Sequence, residues 1–348
     1  MKQRNGIMRS INNDNRGLRC MPHACSVVRE RSVKLKKQVG HPQESAGDVM
    51  NKRLVLRDKW ILILFALPGL LYFLIFKYVP LLGNVIAFQD YNIFKGILHS
   101  PWVGFAQFKR MFGFEDFYEV FRNSAKLGFY SLLFGFPAPI ILALLLNELK
   151  SMAFKRIVQT VVYMPHFLSW VIVGSIFINL LSFEGIINTI ASQMGIEKID
   201  YVTQGNTFIA VLISTGIWKE VGWGTILYLA ALSGINPNFY EAAMVDGASR
   251  WRQMWSITLP LLMPTMVVVL LLSVGHILDA NVEQVLIFLN PLVRDVGEVF
   301  DTYVYTFGLV GGQYSYTTAI ALFKAVVGIV LVFGLNAISR KTTGESLY

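Results

Sequence analysis

Six long apolar runs, separated by polar connections, leave this chain very few folds to choose from. They lie near residues 60–82, 126–146, 157–181, 207–232, 257–278 and 318–338. At about 1.5 Å of rise per residue, each is long enough to cross about 30 Å of hydrocarbon as a helix. Inside a bilayer every backbone N–H and C=O must find its partner within the protein, which restricts such runs to helices. The expected fold class is therefore all-α, a polytopic membrane protein of six transmembrane helices. Composition agrees: 54% of the 348 residues are hydrophobic and the mean hydropathy is +0.50, too apolar for a soluble enzyme of this length.

The formal net charge of +9 could point to nucleic acid, but its distribution points to membrane topology. Much of the excess lies in the first 59 residues and beside the ends of the runs. With the basic start inside, the cytoplasmic connections carry Lys150, Lys155 and Arg156, then Arg250 and Arg252, then Arg340 and Lys341. The two later external loops carry only Lys198 and Arg294. This bias places both termini, and the segment near residue 236, in the cytoplasm of a cell whose inner membrane the chain crosses. The first external loop, residues 83–125, mixes Lys95, Lys109, Arg110 and Arg122 with Asp90, Glu115, Asp116 and Glu119, and reads as a folded amphipathic cap.

Residues 1–56 form a basic tail without helical or strand periodicity, and residues 57–348 form the membrane domain. Met50, followed by Lys52, Arg53, Arg57 and Lys59 and then by the first apolar run, reads as the start of translation. Cys20 and Cys25 both fall in the tail and supply neither a disulfide framework nor a metal site. Pro137 and Pro139 in the second run, Pro165 in the third, and Pro260 and Pro264 in the fifth each remove a helical hydrogen bond, so bends are expected there.

The most informative polar interruption is NPNFYEAAMVDGASRWRQMWSITLPLLMP, from Asn236 to Pro264. Asn236 can cap a helix whose first position is Pro237, with Phe239, Ala242 and Ala243 on one face. Gly247 is placed to end that helix, and Ser249 to cap a second one beginning at Arg250. Two short helices with a sharp turn between them make a surface shaped for a partner. The spacing is Glu241-Ala242-Ala243, three residues, Gly247, nine residues, then Ile257-x-Leu259-Pro260. It resembles the EAA signature of the ABC importer permeases that work with an extracytoplasmic binding protein. The MPHFLSW wording at Met164 to Trp170 and DGAS at Asp246 to Ser249 resemble the carbohydrate-uptake branch, in particular its LplB-like group.

That resemblance implies a type I importer permease fold with a coupling helix inside segment 236–260. By the same resemblance, Glu241, Ala242, Ala243, Asp246, Gly247 and Arg250 contact an ATPase subunit. It also implies the partners: a second homologous permease, two ABC ATPase subunits, an extracellular solute-binding protein, a sugar substrate and membrane lipid, with no nucleic acid. The chain has no G-x-x-x-x-G-K-[ST] loop and no Gly-Lys pair, so ATP is expected on the partner subunits and no cofactor on this chain.

Lys219 and Glu220 fall near the middle of the fourth run, where a charge is costly unless it meets water or a partner. Adjacent on a helix, they point about 100° apart and are not expected to be each other's sole partner. Either they line a polar path, or Gly216, Gly222 and Gly224 break the helix and bring both to an interface. Tyr303, Tyr305, Gln313 and Tyr316 lie in a segment dense in tyrosine, asparagine, aspartate and glutamine, residue types that stack on and hydrogen-bond to sugar rings; tyrosines there also serve as membrane anchors. His166 and His276 read as histidines bonded between helices, with no pattern for a metal. A secondary transporter would show internal repeats and several intramembrane carboxylates, and a membrane-embedded enzyme a His, Asp or Glu cluster at a membrane face; neither signature stands out.

Overall fold

In the computed structural model, residues 63–342 are described, and they are helical apart from short connections. The basic tail, the Met50 start and both cysteines lie outside these residues. The chain divides into two compact units at Tyr78. In the first, residues 63–73 are α-helical and pass into a π turn, Leu74–Tyr78.

The second unit begins with a short 3-10 stretch, Leu82–Phe88, and the cap expected from the sequence. A single bridge, Gln89 to Trp102, closes this region. It leads into α1 (Ala106–Gly113) and α2 (Glu115–Gly135), and Tyr91 N donates to Ser315 Oγ at 2.9 Å. Pro137 starts α3 (Pro137–Glu148), so the second apolar run bends at Phe136.

The third run is more broken than its composition suggests. Helix α4 (Met152–Tyr163), capped by Ser151, gives way to a 3-10 turn at Met164–Phe167 that contains Pro165. Helix α5 (Trp170–Leu181) then starts under a Ser169 cap, followed by α6 (Ile186–Gln193). The membrane-length apolar stretch here is Trp170–Gln193, displaced from the 157–181 expected because Pro165 and Ser169 end one helix and begin another.

Helix α7 (Gly205–Ser233) is continuous for 29 residues. The short α8 (Asn238–Val245), α9 (Leu259–Gly275), α10 (Val282–Phe288) and the long α11 (Tyr314–Thr342) complete the unit. Among the described residues, five helical stretches are long and apolar enough to cross a membrane: Ile63–Phe88, Glu115–Glu148, Trp170–Gln193, Arg250–Gly275 and Tyr314–Lys341. Helix α7 has the length for a sixth, but Lys219 and Glu220 at its centre lower its hydropathy. The faces left open on the spans carry side chains such as Leu145, Val330 and Phe333, all more than half exposed. Apolar surface on that scale needs lipid or another subunit against it.

Three packed clusters hold the second unit together. Met111, Phe117, Phe300 and Ile320 join α1, α2 and α11. Phe208, Leu212, Val285 and Phe288 join α7 to α10, and Ile140, Tyr228 and Leu262 join α3, α7 and α9. Two close backbone approaches fix the arrangement. A Cβ on Gly222 would lie 2.1 Å from the Val162 carbonyl oxygen, and one on Gly128 would lie 1.8 Å from that of Ile277. The glycines of α7 therefore do not break it, contrary to one of the two readings above; Gly222 lets a neighbouring backbone come near.

Candidate functional site

The segment after α7 folds as its residue types dictate. Asn236 Oδ1 accepts from Asn238 N at 3.0 Å, and Pro237 opens the turn whose first carbonyl bonds are to Tyr240 N and Glu241 N. Helix α8 ends in a Schellman turn: Ala248 N donates to Ala243 O at 2.9 Å, Gly247 N donates to Met244 O at 3.1 Å, and Gly247 takes φ +75°. Ser249 then caps Arg250–Gln253 by accepting from Arg252 N. The Ser249 cap and the Gly247 stop therefore stand where the sequence placed them, while α8 begins one residue later than expected, at Asn238, whose N–H the Asn236 side chain holds.

Most of this projection is open. Phe239, Met244, Val245, Trp251 and Trp255 are each more than half exposed. Glu241, Ala242, Asp246, Gly247 and Arg250 are exposed as well, and Ala243 is half-buried. Glu241 sits in the first turn of α8, where a carboxylate favours the positive end of the helix. Arg250 Nη1 meets Glu148 Oε2 at 3.1 Å, a solvent-facing pair worth at most about 1 kcal/mol. The projection is secured inward instead. The Tyr240 hydroxyl lies 3.0 Å from Thr258 Oγ1, and Gln253 Nε2 donates to Ala248 O at 2.9 Å. Thr258 belongs to a π turn, Met254–Thr258, that runs into α9 one residue before Pro260. The missing N–H of Pro260 and the clash of its ring with the preceding turn account for that widening.

A second feature lies within the helix bundle. Two adjoining hollows, about 400 and 460 Å³, share Gly128, Ser131, Pro139 and Asp279 in their walls. Trp170 and Glu220 line the first, Trp223 and His276 the second. Glu220 thus faces open space, whereas Lys219 is turned behind the wall and is only 5% exposed. Lys219 Nζ donates to His166 O at 2.7 Å and to Glu220 Oε1 at 3.3 Å, and lies 5.4 Å from the Trp170 ring centre. His166 Nδ1 meets Glu220 Oε2 at 2.7 Å, and its ring stacks on Trp223 with centroids 4.4 Å apart. The two charges do touch, and each also has His166, so neither is the other's sole partner. One of the two lines the open space and the other is buried at a helix contact.

The wall is chemically suited to polyhydroxylated molecules: carboxylate acceptors at Glu220 and Asp279, and the half-exposed indole of Trp223, one face of which stacks on His166. Gln284 and Asn281 also line it, but their groups are committed. Gln284 Nε2 donates to Leu212 O at 2.6 Å, and Asn281 Oδ1 accepts from Gln284 N at 3.0 Å. Substituting Lys219→Met leaves the His166 carbonyl without its buried donor, at a cost of about 2 kcal/mol, and releases the Glu220 carboxylate. The expected outcome is lower thermal stability in detergent and several-fold slower uptake; wild-type values for both would remove Lys219 from the site.

The remaining candidates are not brought to this cavity. Tyr303 and Tyr316 are packed in the core with Met111, Phe117 and Phe300, and burial pushes the Tyr303 phenol well above its usual range. Tyr305 is 41% exposed on the π stretch Val304–Val310. Gln313 Oε1 accepts from Arg110 Nη2 at 2.9 Å, which ties the loop cap to the start of α11. His276 Nδ1 bonds to Leu272 O within its own helix, so the bond between helices expected of it is made by His166 alone.

One network had no counterpart in the sequence reading. Lys324 Nζ, in α11, lies 2.8 Å from Asp279 Oδ1 and 2.6 Å from Asp301 Oδ1. The available signal was Lys324 itself, the lone charge within the sixth apolar run.

A bent bundle around a hollow, with an open capped helix pair below it, is the architecture of a transport subunit. Residues 135–344 match the family described as binding-protein-dependent transport system inner membrane component, and the chain belongs to it. It is a multi-pass ABC importer permease subunit, a transport protein and not an enzyme; in this family the ATPase is a separate subunit. Protein LplB of Bacillus subtilis (strain 168) is 49% identical over 293 residues, 84% of this chain and 92% of that protein. The polygalacturonan/rhamnogalacturonan transport system permease protein YteP of the same organism is 48% identical over 300 residues, 85% of this chain and 94% of that one. A crystal structure of a bacterial ABC transporter involved in importing the acidic polysaccharide alginate contains a chain of the same fold. It has a TM-score of 0.76 and 40% identity, covering 84% of this chain and 99% of that one. A second structure holds that type of transporter in complex with alginate pentasaccharide-bound periplasmic protein, with TM-score 0.76, 40% identity, and coverage of 84% and 98%.

Proposed function

We propose that this chain forms one half of the pore of an ATP-driven importer that carries an oligosaccharide across the cytoplasmic membrane, with both termini and α8 on the cytoplasmic side. A second homologous permease supplies the other half, two ABC ATPases sit beneath, and an extracellular solute-binding protein delivers the cargo. ATP belongs to the ATPases, and this chain binds no cofactor. One relative of 48% identity is named for polygalacturonan and rhamnogalacturonan, and the solved neighbour of 40% identity for the acidic polysaccharide alginate, whereas relatives below 30% identity are named for arabinooligosaccharides and for trehalose and maltose; the cargo is therefore read as an acidic oligosaccharide.

The observation that carries this reading is the exposed, capped turn at Gly247, held to the bundle through Tyr240 and Thr258. Closure of the ATPase dimer pushes on α8. The push passes through the π turn into α9, which reaches the hollow at Ser273 and His276. Differential affinity of the ATPases for two states of the bundle then drives the switch between inward-open and outward-open.

Topology provides the direct test. A Ser249→Cys variant is expected to resist a membrane-impermeant maleimide in intact cells and to react in inside-out vesicles, while copurifying with the ATPase. Labelling of intact cells would place the turn outside and end the proposal.

A further inference from the structure

The two carboxylates that face the hollows share a feature: each has a buried lysine directly behind it. Glu220 is backed by Lys219, 3.3 Å away, and Asp279 by Lys324, 2.8 Å away. Both lysines are inside the protein, with side chains 7% and 11% exposed, whereas the carboxylates they serve are 48% and 50% exposed. Each lysine is also fixed by a second partner. Lys219 bonds the His166 carbonyl, and Lys324 bonds Asp301, whose Oδ2 accepts from Ala280 N at 2.7 Å. The lysines come from different helices, α7 and α11, yet end in the same arrangement.

Buried lysines in membrane helices are expensive to keep. Hydrogen bonding to sugar hydroxyls explains the carboxylates, since these are strong acceptors, but it does not explain the lysines, which offer nothing to the open space. What the lysines change is the field in the hollow: without them, two bare carboxylates, Glu220 and Asp279, would meet the cargo in a low-dielectric passage.

We propose that Lys324, together with Lys219, sets the charge of the passage wall, and that this compensation is what admits a uronate-bearing oligosaccharide past Glu220 and Asp279. The inference rests on the acidic-oligosaccharide reading above and assigns it to specificity-determining residues. Lys324 acts through Asp279: it fixes the carboxylate as an acceptor and, shared with Asp301, brings the pair of carboxylates from two negative charges to one, which lowers the repulsion of an anionic sugar.

The test compares two probes of equal length, trigalacturonate and its full methyl ester, taken up by cells that carry the complete importer. The readout is the ratio of anionic to neutral uptake, normalised to permease in the membrane. Lys324→Met is expected to lower that ratio at least tenfold, Asp279→Asn to raise it, and the double variant to return it to near the wild-type value. An unchanged ratio in Lys324→Met, with both probes losing uptake equally, means a structural role and overturns the proposal. Should Lys324→Met fail to reach the membrane, Asp279→Asn decides: a raised ratio supports the proposal and an unchanged one overturns it. Wild-type cells that import neither probe would refute the acidic-cargo reading and this inference with it. Import of both with indifferent variants would refute the inference alone.

Discussion

Substituting Gly222→Val is expected to abolish transport and destabilise the permease. The added Cβ would stand 2.1 Å from the Val162 carbonyl oxygen and 2.6 Å from its carbon. Both are backbone atoms, so no side-chain rotation relieves the contact and α7 must move away from α4. Overpacking of this kind costs about 1–3 kcal/mol, and more where backbone must shift. The displacement also falls beside the site, because α4 leads directly to His166, whose ring stacks on Trp223 and bonds Glu220. Thermal unfolding followed by fluorescence-detected size exclusion should show a large fall in midpoint, and Gly222→Ala, which carries the same Cβ, should already show a clear fall, with the valine methyls adding to it. A wild-type midpoint for the valine variant would mean that the two helices are not held this closely.

Changes at Gly247 should act in the opposite way, removing transport while leaving the membrane domain intact. A Cβ there meets nothing within 4 Å in this chain, so the only internal constraint is φ +75°. Aspartate tolerates that left-handed conformation better than most residues, whereas a β-branched side chain does not. Gly247→Asp therefore keeps the turn and presents charge and bulk to whatever lies against it. Gly247→Val costs the turn itself about 1–2 kcal/mol. Both variants are expected at normal membrane abundance with uptake reduced more than tenfold and ATPase copurification weakened. Undiminished uptake in Gly247→Asp would separate this turn from coupling.

The contrast between these two glycines shows how far the sequence could be read. Gly247 was legible because a Schellman stop is local: the cap residues, the helix length and the following Ser249 all sit within a dozen positions. Gly222 was open to misreading as a helix breaker, since the backbone it admits is Val162, 60 residues away in sequence and invisible to any local pattern. The same distinction divides the site. Glu220 and Lys219 announced themselves as charges inside an apolar run, but their joint partner, His166, came from the break at Pro165. Lys324 lay in equally plain view. Its meaning depended on Asp279 and Asp301, which only the folded chain brings within 3 Å of its amine. The tyrosine-rich segment misled for a related reason: composition distinguishes a sugar-stacking surface from a packed core only once burial is known, and Tyr303 and Tyr316 are 4% and 2% exposed.

The π turn at Met254–Thr258 holds one residue more than an α-helical turn requires. If that surplus is squeezed out when α8 is pressed, every residue on one side of it slides by about 1.5 Å and swings by about 100° relative to the other side. Thr258 ends that turn and Tyr240, in α8, is bonded to it, so under the proposed coupling a thrust on α8 would reach Ser273 and His276 partly as rotation. A membrane helix with such a slipping register would turn a push into a twist by exchanging the wide-turn hydrogen bonds for α-helical ones, one partner for another.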